Sequence, residues 1–140
     1  MSVMKNGKYV IHDVVRGRWS SEDREATIKA NAEADGKGVR IGIEQEGGSG
    51  GKESAEATVT MLAGYSVLKD HPSGDKATRA DPFSVQVNNG NVILIKGDWN
   101  LTFKEELELF PNSTFKDQVD ACSGAFNMLV KKKIVKVLKR

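Results

Sequence analysis

Three carboxylates in this 140-residue chain stand where they could hold a metal ion. Glu44 closes the run VRIGIE (39–44), whose alternating apolar and polar residues predict a strand, and a loop follows it at once. Catalytic groups of α/β folds tend to lie at such strand ends. Asp117 and Asp120 stand three apart at the start of a predicted helix over 117–130, on one face of its first turn, where the helix dipole favours negative charge. Carboxylates brought together suit Mg²⁺ or Mn²⁺, hard ions that take oxygen ligands. Acids at a helix start are also ordinary capping residues, so the pattern by itself leaves a metal site and a plain helix cap both open. Glu46 and Asp13 are further candidate acids. Glu46 shares the face of Glu44 only if the strand continues past 44. Asp13 lies in the β-rich run KYVIHDVVR (8–16), where a strand-end carboxylate is the simpler reading.

The elements that would position these acids alternate. Asn6-Gly7 predicts a two-residue hairpin turn between residues 1–5 and 8–16. Ser20 or Ser21 caps a helix near 21–34 that stops at Gly36. The strand over 39–44, a GGSGG loop (47–51) and a helix near 52–63 come next. A short strand over 65–68 precedes a third helix over 76–88, whose start Pro82 could delay, and GNVILI (90–95) is another strand. Two last helices, 99–109 and 117–130, flank Pro111-Asn112. Strands alternating with helices after an opening hairpin give an α/β layered fold.

Composition bounds the function. The formal charge of +2 is uneven: residues 131–140 hold six of the 21 basic residues and no acid, leaving 15 basic against 19 acidic residues, a net −4, in the body. Cys122 is the single cysteine, so no intrachain disulfide forms and a reducing compartment is expected. No apolar run reaches the roughly 18–20 residues of a membrane span, and no signal-peptide core opens the chain. One cysteine and two histidines make no ordinary zinc site. A Walker loop fails as well, because Glu46 stands where the spacing needs glycine and Glu53 follows Lys52 where it needs Ser or Thr. Lys52, Lys76 and Arg79 are candidate phosphate contacts, with a solvated face as the alternative. Trp19 and Trp99 are expected to pack, and His12 to pack or hydrogen-bond.

The ordered set DVVRGRWSSEDREATIK (13–29), IGIEQEGGSGGK (41–52), LAGY (62–65), GDKATRADPFSVQVNNGNVILIKGDWN (74–100), FPN (110–112) and DQVDACSGAFN (117–127) resembles the C-terminal nuclease domain of tailed-phage terminase large subunits. The likeness spans about 8–130. It implies an α/β, ribonuclease H-like mixed sheet with flanking helices over 1–130, followed by a basic tail, 131–140. The implied activity is cleavage of concatemeric viral DNA during packaging, with acids binding two Mg²⁺ or Mn²⁺ ions that activate water and stabilise the leaving oxygen. Glu44 matches the family's acid in IEQE, and Asp117 and Asp120 match the last two acids of its DDQVDA-like motif. The chain departs at Phe115-Lys116, where the family has His-Asp.

The family's first acid lies on a strand ahead of the hairpin. The resemblance therefore implies a central first strand that is missing or replaced, filled by a second copy through strand exchange, by the rest of a split terminase, or by the tail. The tail itself reads as helix continuation, an inserted strand or disorder. Expected partners are double-stranded DNA and other terminase subunits or the portal, in the cytoplasm of a host carrying the prophage. The rival expectation is a non-catalytic remnant that binds DNA or terminase subunits.

Overall fold

A computed structural model describes residues 1–71 and 74–130. The readings of the tail therefore lie outside the described residues. The chain order is β1 (Ser2–Val3), β2 (Tyr9–Ile11), α1 (Ser21–Asp35), β3 (Arg40–Glu44), α2 (Ser49–Met61), β4 (Ser66–Asp70), α3 (Lys76–Asn88), β5 (Val92–Leu94), α4 (Asn100–Leu109) and α5 (Asp117–Val130). Two compact units result, one of Met1–Val15 with the chain from Asp75 onward, the other of Arg16–Gly74.

The first unit carries a mixed three-stranded sheet in the order β1-β2-β5. The predicted hairpin forms, with Ser2 opposite Val10, and β5 adds parallel to β2, with Val10 opposite Ile93. The strand of the hairpin is shorter than 8–16, so Asp13 falls beyond its end, exposed, and accepts the Val14 N–H at 2.9 Å. His12 meets the Ser2 hydroxyl at 2.8 Å, a hydrogen bond across the hairpin. The core gathers Ile11, Phe83, Phe103, Cys122 and Phe126, with Tyr9, Val92, Leu94 and Trp99 packed around them. Trp99 stands edge-on to Phe103 with ring centroids 5.6 Å apart, so this tryptophan is a packing residue. Burial pushes the Cys122 thiol up to about 12, helped by the negative charge of Glu106 against an opposing pull from the N-terminal ammonium.

The second unit pairs β3 and β4 in parallel, Arg40 beside Ser66 through Glu44 beside Asp70. Its buried side chains are mostly small: Ala32 from α1, Ala55 and Thr58 from α2, and Leu62. Ser20 caps α1 by accepting the Asp23 N–H at 3.1 Å, as its type predicts.

Several boundaries shift: β4 runs to Asp70 where the expected strand stops at 68, and β5 is Val92–Leu94 within the expected 90–95. The helix expected from residue 52 starts at Ser49, inside the glycine run. Gly48, at φ 89°, turns the chain into the helix, and Gly51 lets the first turn approach Glu46, whose carbonyl oxygen a Cβ at 51 would strike. Composition shows only that glycines are present, whereas this close approach explains why the helix contains them. Pro82 does not delay α3, which starts at Lys76 under an Asp75 cap that accepts the Thr78 N–H at 2.8 Å. That bond, with the Thr78 hydroxyl behind it, holds the Asp75 carboxyl below its ordinary 3.8.

Candidate metal centre

In the first unit α3 packs on α5 and brings four charges together. Asp120 is 8 % exposed, while Asp117, one turn earlier, is open to solvent. Lys76 Nζ stands 3.0 Å from Asp120 Oδ2 and 3.5 Å from Asp117 Oδ1, so a single ammonium bridges both carboxylates. The Arg79 guanidinium donates to Asp120 Oδ1 at 2.6 Å, and its carbonyl accepts from Asn127 at 3.5 Å. Burial pulls the Lys76 pKa down, but Asp120 and then Asp117 outweigh it and the net direction is up from 10.5.

The i, i+3 spacing thus does what the sequence implied: both acids face one place. The two cations there are Lys76 and Arg79, which the sequence suggested as phosphate contacts and which here sit on the acids. The position between the two carboxylates is held by the Lys76 ammonium. Two carboxylates that already converge on one positive charge are a fitting donor set for a hard divalent ion. Among the described residues no group of three or more His, Cys, Asp or Glu side chains gathers around one ion position.

Glu44 belongs to the second unit. It ends β3, exposed, directly beside Asp70 at the end of β4. Asp70 is an acid that sequence reading missed, because no periodicity marks LKD as ending in register with VRIGIE. The ladder extends one residue further, with the Gln45 N–H donating to the Asp70 carbonyl at 2.9 Å. Glu46 lies past the strand, yet it shares with Glu44 a cleft of about 410 Å³ between α1, β3 and α2. Lys52 is exposed and lies 4.0 Å from Glu56, one turn along α2.

A second carboxylate that went unnoticed in the sequence is Glu106 of α4, 5 % exposed. Its Oε1 accepts the Val119 N–H at 2.9 Å and its Oε2 accepts from Gln118 Nε2 at 2.7 Å. The signal that could have found it is negative: Lys116, just ahead of the helix, has no capping oxygen, so the first turn of α5 must find acceptors elsewhere.

A family model for the terminase RNase H-like domain matches residues 1–129. The chain belongs to this terminase family. Comparison with curated proteins and with solved structures gave no match. For the terminase domain, the α/β architecture and the mixed sheet agree with the family's RNase H-like fold. No helix among the described residues is long and apolar enough to cross a membrane.

Proposed function

We propose that this terminase domain is a divalent-ion-dependent DNA endonuclease that cuts concatemeric viral DNA during packaging, in the cytoplasm of the bacterial host. Asp117 and Asp120 hold the ions, and Glu44 is the further acid, by its match to the family's IEQE motif. The observation that carries this reading is the single cation shared by Asp117 and Asp120. Bound Mg²⁺ or Mn²⁺ would supply a nucleophilic water and charge for the leaving oxygen.

The chain's own side chains divide the remaining work. Buried Asp120 is the fixed donor, one oxygen pinned by Arg79. Exposed Asp117 is the open donor on the solvent side. Lys76, on a flexible stem, is able to leave the acids for a DNA phosphate when another cation takes its place. Asp13 and Glu46 remain further acids of the proposal, and Lys52 a phosphate contact on an exposed helix face.

A second reading has its own support, since two cations already neutralise the two acids. In that case the domain is a non-catalytic module that binds DNA, other terminase subunits or the portal, or that dimerises by strand exchange at its sheet edges. Incubation of the full chain with supercoiled plasmid and Mn²⁺ decides between them. The nuclease reading expects open-circular product that EDTA prevents and that Glu44→Gln lowers about 100-fold, at the upper end of what losing a metal-site partner costs. No nicking by the unaltered chain overturns it. Salt-dependent DNA binding that survives Glu44→Ala and falls on deletion of 131–140 would then support the module, and a stable dimer in light scattering the exchange.

A further inference from the structure

The first turn of a helix exposes N–H groups with no partner inside the helix, and a polar side chain at the residue before it is the usual remedy. For α5 that residue is Lys116, a donor, and the remedy comes from α4 instead. Glu106 reaches across with both oxygens engaged, one on the Val119 N–H and the other on Gln118 Nε2. Gln118 Nε2 also lies 3.4 Å from the Thr102 carbonyl, one turn earlier on α4. A carboxylate buried this deeply is tolerated because it accepts these bonds. Because it only accepts, it also dictates which end of the Gln118 amide faces it. The other end, Gln118 Oε1, is left buried with no hydrogen-bond partner among the described residues.

The rotational arithmetic gives this clamp its meaning. At 3.6 residues per turn, Asp117 and Asp120 sit ~60° apart around the helix axis, and the midpoint of Gln118 and Val119 lies ~180° from theirs. Glu106 therefore grips the side of the turn opposite the two acids. A helix held by this grip cannot rotate or slide there without breaking both bonds, and a slip of one residue would turn the acids by ~100°. Lys76 and Arg79 meet the acids on the other side of the turn.

We propose that Glu106 is a positioning residue for the Asp117–Asp120 cation site. It touches neither acid's carboxylate and acts through the backbone and side chain between them. The proposal rests on the reading that these two acids bind a divalent ion.

The test is Mn²⁺ binding to the full chain by isothermal titration calorimetry, with folding checked by circular dichroism. Glu106→Ala is expected to weaken Mn²⁺ about 10-fold, the scale on which supporting residues act on metal affinity. Glu106→Gln is expected to stay within about 3-fold of the unaltered chain, because its carbonyl can cap Val119 while Gln118 turns its amide to accept. If Glu106→Ala does not fold, Glu106→Asp carries the test, its carboxylate being one methylene too short to reach Val119, and a loss of about 10-fold is again expected. A folded Glu106→Ala (or Glu106→Asp) protein that melts lower yet binds Mn²⁺ with unaltered affinity overturns the positioning role and leaves the metal reading intact. No Mn²⁺ binding by the unaltered chain overturns that reading, and the role of Glu106 falls with it.

Discussion

Asp120→Ala is expected to abolish Mn²⁺-dependent plasmid nicking, by roughly 100-fold or more, and to destabilise the domain in the same stroke. The first effect follows from the removal of the buried, fixed carboxylate of the proposed cation site. The second follows from the charges around it. Asp120 is 8 % exposed and answers Arg79 at 2.6 Å and Lys76 at 3.0 Å. Removing one partner of a buried pair costs about 3–5 kcal/mol. The cations here are partly solvated and Lys76 keeps Asp117 at 3.5 Å, so a loss of about 2 kcal/mol is the better expectation. Asp117→Ala separates the two effects. Its side chain is 87 % exposed, so stability should change by less than ~0.5 kcal/mol while nicking falls as far as for Asp120. Urea denaturation and a nicking time course on the two variants check both halves. Equal nicking by Asp117→Ala and the unaltered chain would remove Asp117 from the site.

The largest stability effect belongs to Phe103. This side chain is fully buried at the centre of the first unit, edge-on to Trp99 and in the same cluster as Ile11, Phe83 and Phe126. Phe103→Ala should cost about 3–5 kcal/mol, combining lost transfer energy with the cavity left behind. Total stability of a domain is typically about 5–15 kcal/mol, so this change alone could leave an appreciable unfolded fraction. Leu101, two residues earlier on α4, is 66 % exposed, and Leu101→Ala should stay within ~0.5 kcal/mol. Guanidinium denaturation midpoints of the two variants measure the contrast. Similar losses would mean that α4 faces the core differently from the arrangement described.

Much of this was legible in the residues. Alternation and caps placed the strands and helices because their causes are local: Asn6-Gly7 turns the hairpin, Ser20 caps α1, and α5 runs over 117–130 as its pattern indicates. The start of α2 was not legible, because Gly51 owes its place to Glu46 five residues earlier, a contact that composition does not carry. The acids Asp117 and Asp120 were legible because i, i+3 spacing fixes a shared face. The occupant of that face was not. Lys76 and Arg79 come from α3, some forty residues earlier, and read in sequence as phosphate contacts or as a solvated face. Glu106 was invisible for a related reason: an acid in a helix reads as a solvated residue until the neighbouring helix is seen to lack its own cap. Asp70 emerged only through the β3–β4 register.

On the proposed function, the first turn of α5 faces a divalent-cation site shared with the first turn of α3. Stepwise addition of Mn²⁺ to ¹⁵N-labelled full chain tests it directly, since the paramagnetic ion broadens the amide signals nearest to it. Residues 117–120 and 76–79 are expected to broaden first, at the lowest Mn²⁺ concentrations, and Asp120→Asn is expected to delay their loss. Broadening that begins elsewhere and leaves both turns sharp would contradict it.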